Sequence, residues 1–379
     1  MTESKLQLPE ITNISESNGI LSFDAKCNVS VINGLRRTLT NDVTTVCLKT
    51  EPFNDKNSEL ESTIIYENTT SFTNEILKQR LGCIPVHLKT PDNIENLIIE
   101  VDKENTGNSI ELITTEDFMI KDKNTNRYLT KDQVKKIFPP SKFTNDYIIF
   151  ARIKPGVSKT VQGEKLRLAC RLFESRGKVS GQYNVCSTAA YNNMIDEVKQ
   201  TEAWSKIEDD LSKQGILKTT INDKKKNWYL LEGKRLYFKN KFQFRLETIG
   251  VFTNEELIKK ACLALNVKFH QLSEKITNNE MVYTKDSINV KNSFDVKLFD
   301  IGYSVGKNIE YMLHDRFFNK TKILTYVGFI KRHPHDDHSI VRVVFKDDTK
   351  ANTDNIRSLL QSSIDYCIQN YTNISESFV

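Results

Sequence analysis

Two segments of this chain carry an unbroken apolar stripe at helical spacing, and they limit what it can fold into more than any other feature. The first opens with the capping box Thr253-Asn254-Glu255-Glu256 and puts Ile258, Ala261, Cys262, Leu265, Phe269 and Leu272 on one face. The second, residues 355–371, does the same with Ile356, Leu359, Leu360, Ile364, Cys367 and Ile368. A long helix with one apolar face is stable in water only when another element covers that face. Any fold of this chain has to cover both.

Two shorter amphipathic helices are predicted upstream of these. Val31, Ile32, Leu35, Leu39 and Val43 recur at helical spacing behind Asn28 or Ser30 as a cap, and residues 303–317 also read as helical. Ser30-Val31, Leu35 and Leu39 fall on Ser304-Val305, Ile309 and Leu313 at constant offset, in one S-V-x-x-x-[L/I]-x-x-x-L frame. Strands and then one of the long helices follow each: residues 242–249 before the first, 325–330 and 339–345 before the second. The second half thus reads as a shorter version of the first. Neither half covers its own apolar faces, so the two are expected to pack on each other as a pseudo-two-fold pair. The polar run 274–280 is expected to end the first long helix and begin a linker. The hexapeptide Thr-Asn-Ile-Ser-Glu-Ser, which occurs from Thr12 and again from Thr372, is expected in polar tails.

Within the first half, short β-like runs at 62–66, 97–101 and 147–151 alternate with turn-forming clusters, and a short helix at 73–81 is stopped by Gly82 and Pro85. Strands at 165–173 and 183–191 follow, and then a basic, helix-leaning segment, 196–241. The expected divisions are a tail at 1–18, a first helix-on-sheet domain at 19–55 and 182–275, a β-rich insertion at 56–181, a linker at 276–290 and a second, smaller domain at 291–379. With 379 residues, 38% of them hydrophobic, two or three packed units are the expectation.

Charge and cysteine usage exclude several classes. The 54 Lys and Arg nearly balance 49 Asp and Glu, leaving +5, so the chain is no bulk neutraliser of phosphate. No uncharged apolar run approaches the roughly 20 residues of a membrane helix, and Met1-Thr2-Glu3-Ser4-Lys5 lacks the apolar stretch of a signal peptide; a soluble intracellular protein without membrane contact is expected. The seven cysteines are dispersed, with no C-x-x-C, which argues against disulfides, an Fe–S cluster or a cysteine-built zinc site.

The sequence contains none of the phosphate-loop, dinucleotide, nucleophile-elbow or H-E-x-x-H motifs, and Asp336-Asp337 is not the D-x-D of a two-magnesium clamp. Three histidines, His333, His335 and His338, crowd one segment. They suit a metal chemically, but Pro334 favours a polar turn, so no metal and no cofactor are expected, and a hydrolase centred there is the least favoured reading. Lys224, Lys225, Lys226, Lys234 and Arg235 interleave with Trp228, Tyr229, Tyr237 and Phe238. That pattern fits a solvated basic face over buried aromatics, or a nucleic-acid contact as the rival function.

Asn33-Gly34-Leu35-Arg36-Arg37, Arg80-Leu81-Gly82-Cys83-Ile84-Pro85, Gly163-Glu164-Lys165-Leu166-Arg167-Leu168, Ser187 to Tyr191, and Phe242 to Leu265 follow one another as in the α-type assembly subunit of multisubunit RNA polymerases, which the first 275 residues resemble. Gly328-Phe329-Ile330-Lys331-Arg332-His333-Pro334 and Ile340-Val341-Arg342-Val343 are similar to the smaller subunit that pairs with it. Together they resemble the third- and eleventh-subunit types joined in one chain, as in the fused subunit of large DNA viruses. The resemblance implies an α+β fold in which two α-subunit-like dimerisation units, helices packed on antiparallel sheet, are fused in cis, with an inserted β-rich domain in the first. It implies a non-catalytic scaffold for the two largest polymerase subunits, a small zinc-binding subunit as a further partner, indirect contact with DNA or RNA, and a location in host cytoplasm or virion, or in the nucleus of a cell. Asn33, Arg36, Arg37, Arg80, Arg176 and Lys178 are then the expected large-subunit contacts. Val31, Leu35, Leu39, Val305, Ile309, Leu313, Leu265 and Leu360 are the expected core between the halves. Lys307 and Glu310 depart from the smaller subunit's Asn and Arg, the loop 176–183 lacks the common D-H-A-K, and the cysteine-rich zinc loop is missing.

Overall fold

The computed structural model describes residues 8–50, 63–90, 92–158, 162–286 and 290–378. Residues 1–7 of the expected tail, 56–62 of the expected insertion and 287–289 of the expected linker lie outside these. The described residues form a mixed α/β protein with antiparallel sheets, in two compact units. One, here the helical unit, takes the chain up to Leu39, then 188–247, then 254 onward; the β-rich unit takes 40–187 and 248–253.

In the helical unit the strands are β1 (Glu10–Ser17), β2 (Ile20–Lys26), β3 (Cys186–Ile195), β4 (Tyr237–Thr248), β5 (Val282–Asp286), β6 (Ser293–Phe299), β7 (Leu324–Ile330) and β8 (His338–Phe345). Its helices are α1 (Val29–Asn41), α2 (Glu197–Lys213), α3 (Lys218–Leu230), α4 (Asn254–Thr277), α5 (Tyr303–Leu313) and α6 (Thr353–Glu376). Two four-stranded sheets result, ordered β1-β2-β4-β3 and β5-β6-β8-β7. The order is the same in both. Each sheet also sends out a helix after its second strand, α1 or α5, and a long helix after its fourth, α4 or α6.

Strand alternation builds the sheet faces. Leu21, Phe23 and Ala25 of β2 are buried opposite Leu246, Phe244 and Phe242 of β4, while the residues between them are more exposed. Phe294, Val296 and Leu298 of β6 do the same opposite Val343, Val341 and Ser339 of β8. The helices then close over these faces. Asn266 of α4 bonds Thr372 and Ser273 bonds Gln361, so α4 and α6 run antiparallel, with Phe269 stacked on Tyr371 at 6.0 Å. The eight residues expected in the core between the halves are all buried, none more than 3% exposed. The end of α6 reaches the first sheet: Phe378 lies edge-on to Phe23, and Asn373 donates to the Pro9 carbonyl.

Three features differ from the sequence reading. The polar run from Glu274 does not end the helix; α4 continues to Thr277 because Ile276 extends the stripe and is 1% exposed. The segment expected as a linker contains β5, paired in register with β6. The repeated hexapeptide lies in elements at both places. From Thr12 it is strand, led into β2 by the hairpin turn Asn18-Gly19, both at positive φ, and Ile14 is exposed. From Thr372 it is the last turn of α6, where Ile374 continues the stripe of Cys367 and Tyr371 and is buried. Flanking pattern decides the structure of this peptide, not its own composition.

In the β-rich unit one long strand, Lys165–Arg176, organises the sheet. One edge pairs Thr44–Leu48 and Ile64–Asn68 in succession; the other pairs Leu97–Glu104, followed by Met119–Asp122 and Arg127–Tyr128. Glu111–Thr114 and Ile149–Ile153 form a separate pair. The helices Asn74–Gly82 and Lys131–Ile137 supply Leu77, Leu81, Val134 and Ile137 to a core centred on Phe118, Phe138 and Phe150.

Candidate functional site

Helix α1 presents two faces. Val31, Ile32, Leu35, Thr38 and Leu39 are buried; Asn28 caps the start by accepting the Ser30 N–H at 2.9 Å. On the other side Arg37 is exposed, and half-buried Arg36 donates through Nε and Nη2 to Asn33 Oδ1, one turn back, at 3.1 and 3.0 Å. These two bonds orient the fork along its own helix. Helix α5 carries a different chemistry at the equivalent positions. Lys307 and Glu310 pair with each other, and Glu310 also accepts the Phe329 N–H at 3.2 Å. In the shared frame Asn33 corresponds to Lys307 and Arg36 to Glu310, so α5 holds an ion pair where α1 holds an arginine–asparagine hydrogen bond, which is what the departures at Lys307 and Glu310 amount to in the structure.

Arg176 and Lys178 meet the C-terminal end of the same α1, through its last residues, which belong to the β-rich unit. The Lys178 N–H donates to the Asn41 carbonyl at 2.8 Å, satisfying one of the acceptors a helix leaves open at its end. Arg176 reaches Asp42 at 3.8 Å. Gly177 lies so close to the Thr40 carbonyl that any Cβ would collide with it, so this loop docks only as glycine. No basic residue sits in the last turn of α1, and the loop brings the Arg176 guanidinium to Asp42, just past the helix's negative end.

Arg80, expected as a large-subunit contact, is half-buried and makes hydrogen bonds within the β-rich unit. Its Nε donates to the Phe150 carbonyl at 2.6 Å and its Nη2 to the Ile149 carbonyl at 2.8 Å, and its guanidinium covers the Phe72 ring. It pins the helix Asn74–Gly82 to the strand Ile149–Ile153 through two of its five N–H donors.

The basic segment is a helical hairpin, α2 and α3. Trp204, 3% exposed, packs on Trp228 at 5.6 Å and Tyr229 at 6.4 Å, and its Nε1 donates to Glu208. These rings hold the two helices together, with Trp204 buried and Trp228 and Tyr229 half-buried. Lys224 and Lys226 are exposed and Lys225 half-buried beside Trp204; Arg235 pairs with Glu232 at 2.8 Å and Lys234 is exposed. The lysines thus flank the Trp204 cluster, while Tyr237 in the strand that follows is 43% exposed.

At the histidine turn, His333 and His335 stand 5.0 Å apart, ring to ring, whereas His338 is held by Asp337 at 2.6 Å, so the three do not converge. Among the described residues no group of three or more His, Cys, Asp or Glu is placed to hold a metal ion, and no helix is long and apolar enough to cross a membrane. Burial pushes the thiols of Cys27, Cys47 and Cys170 up to about 12 and that of Cys186 to about 11, with Cys262 and Cys367 raised further. None of these six is poised as a thiolate.

Sequence reasoning missed three residues at the α1–α5 crossing: Gly34, Asn308 and Tyr371, all buried. The available signal was Gly34 itself, since glycine inside a regular helix costs about 1 kcal/mol relative to alanine and needs a reason to be there.

No protein-family model matches the chain. It is similar to DNA-directed RNA polymerase subunit Rpo3 of Picrophilus torridus, 22% identical over 65% of this chain and 92% of that protein, and to the subunit of the same name from Methanocaldococcus jannaschii, 25% identical over 46% of this chain and 70% of that protein. It is also similar to a conjugation stage-specific protein of Tetrahymena thermophila, 22% identical over 72% of this chain and 97% of that protein.

Proposed function

We propose that this chain is a non-catalytic assembly subunit of a DNA-directed RNA polymerase, folded as an intramolecular pseudo-heterodimer that holds the two largest subunits together. The observation that carries the reading is the shared strand order of the two sheets, each with its helix pair, in a chain similar to archaeal polymerase subunits over most of their length. The first sheet with α1 and α4 stands for the larger partner, and the second with α5 and α6 for the smaller. The β-rich unit is then an insertion in the first. Fusion makes the pairing intramolecular, at an effective concentration near millimolar for a short flexible connection, so dilution does not separate the halves.

In this reading Asn33, Arg36 and Arg37, with Arg176 and Lys178, contact a large subunit, where guanidinium forks suit carboxylates. A small zinc-binding subunit is a further partner, nucleic acid is met only through the assembled enzyme, and the fused form belongs to a large DNA virus, active in host cytoplasm or packaged in the virion. Affinity purification of the tagged full-length chain from cells or virions that express it, followed by mass spectrometry, tests this. The two largest polymerase subunits are expected in stoichiometric amount. A chain recovered alone that shifts oligonucleotides with a steep salt dependence overturns it.

A further inference from the structure

The apolar frames of α1 and α5 match position for position, Val31 with Val305, Leu35 with Ile309 and Leu39 with Leu313. Such a stripe cannot tell its proper partner from a copy of itself. In the same frame Gly34 of α1 corresponds to Asn308 of α5, and these two residues meet. Asn308 is fully buried, and its Nδ2 donates to the Ser304 carbonyl of its own helix at 2.6 Å and to the Ser30 carbonyl of α1 at 3.2 Å. Ser30 and Ser304 are themselves equivalent, so a single amide bridges the two helices at corresponding points. Tyr371 of α6, also fully buried, donates to the next α1 carbonyl, Val31, at 3.1 Å.

Both polar groups occupy the space that a side chain at position 34 would fill. A Cβ there would lie 2.8 Å from Asn308 Nδ2, 3.4 Å from the Ser304 carbonyl and against Tyr371 Oη. Each member is unfavourable alone. Glycine weakens α1, and burial of Asn308 leaves its Oδ1 with no hydrogen-bond partner among the described residues. They fit only opposite each other.

We infer that Gly34 and Asn308, backed by Tyr371, form a pairing lock that makes α1 accept α5 and reject a second α1, and makes α5 reject a second α5. Two α1 helices would set glycine against glycine and leave a gap where the amide now lies. Two α5 helices would set one buried amide against another, with no glycine to receive either. The partner this surface selects is therefore the unlike half, through repulsion and vacancy at one position within a stripe that otherwise permits both pairings. The inference rests on the pseudo-heterodimer reading.

The test begins with the intact chain carrying a protease site in the turn at 278–280. After folding, the chain is nicked and its complexes are weighed by native mass spectrometry. The wild type should give the one-to-one pair of unlike pieces. Asn308→Ala, which removes the second amide, should raise complexes of two C-terminal pieces at least tenfold. In a second arm Gly34→Ala should dissociate the nicked pair, and adding Asn308→Ala with Tyr371→Phe should restore it, because the groups the new methyl strikes are gone. Pieces that separate as monomers in the wild type overturn the pseudo-heterodimer itself. An intact wild-type pair with no like pairs from Asn308→Ala, or with no recovery in the second arm, overturns the lock alone.

Discussion

Removing the Arg80 side chain takes away the donors that the Phe150 and Ile149 carbonyls use, and the helix Asn74–Gly82 loses its tie to the strand beside it. Hydrogen bonds involving a charged group contribute about 1.5–3 kcal/mol, so Arg80→Ala should lower the urea midpoint of the full chain by an amount in that range, with Arg80→Lys losing nearly as much because a lysine cannot reproduce the fork. The double replacement Arg36→Ala with Arg37→Ala should behave oppositely. Arg37 is exposed and half-buried Arg36 bonds within its own helix to a neutral Asn33, so melting should move little, while recovery of the large polymerase subunits should fall roughly thirtyfold, the equivalent of about 2 kcal/mol. Both measurements belong on the same preparation. Unchanged melting with unchanged recovery would move the proposed interface off α1. Arginines of similar motif character thus separate into one that braces the β-rich unit and two that are proposed as a contact face. Sequence could not make that division, because the acceptors of Arg80 are backbone carbonyls 69 and 70 positions away, which no side-chain pattern records.

Elements were more legible than their ends. The stripes of α4 and α6 and the alternation of β4 and β8 follow from periodicity, which burial on one side imposes, whereas β2 and β6 have no counterpart in the sequence reading. The continuation of α4 past Glu274, the strand β5 and the two structures of Thr-Asn-Ile-Ser-Glu-Ser were not legible, since each depends on a neighbour supplied from elsewhere in the chain. The hairpin α2–α3 gives an element-scale prediction. Trp204 is its keystone, so Trp204→Ala should speed hydrogen exchange across residues 197–230 while leaving α4 and α6 protected; a buried tryptophan is worth about 3–5 kcal/mol on truncation. Lys224→Glu with Lys225→Glu and Lys226→Glu should leave exchange in the hairpin nearly unchanged. If the lysine changes unfolded it as the tryptophan change does, the basic face would be a structural part of the hairpin.

Across the whole molecule, the buried acids predict how stability changes with pH. The thiols of Cys27, Cys47, Cys170, Cys186, Cys262 and Cys367 and the phenol of Tyr371 are all raised by burial. A raised pKa means that folding favours the protonated form. Its contribution is therefore complete below the ordinary thiol and phenol values, roughly 9 and 10, and declines as pH climbs toward the folded values. Under reducing conditions the urea midpoint should hold from these groups' standpoint near neutrality and fall steadily above about pH 9. A flat profile to pH 10.5 would show that these side chains reach solvent. The α+β class was readable at this scale. The matching order of the two sheets was not, because strand order is set by pairings that sequence periodicity does not encode.

The contact between the end of α6 and the first sheet also bears on how the protein is made. Asn373 holds Pro9 across 364 positions, and Phe378 covers Phe23. A ribosome adding about 5–20 residues per second takes roughly 20–70 s to travel that distance. During this interval β1 and β2 have left the exit tunnel, and the aromatic face they will share with β4 lacks its last lid. Nascent chains stalled before residue 370 should therefore bind holdase chaperones through the N-terminal hairpin, and release should coincide with the arrival of the final helical turn.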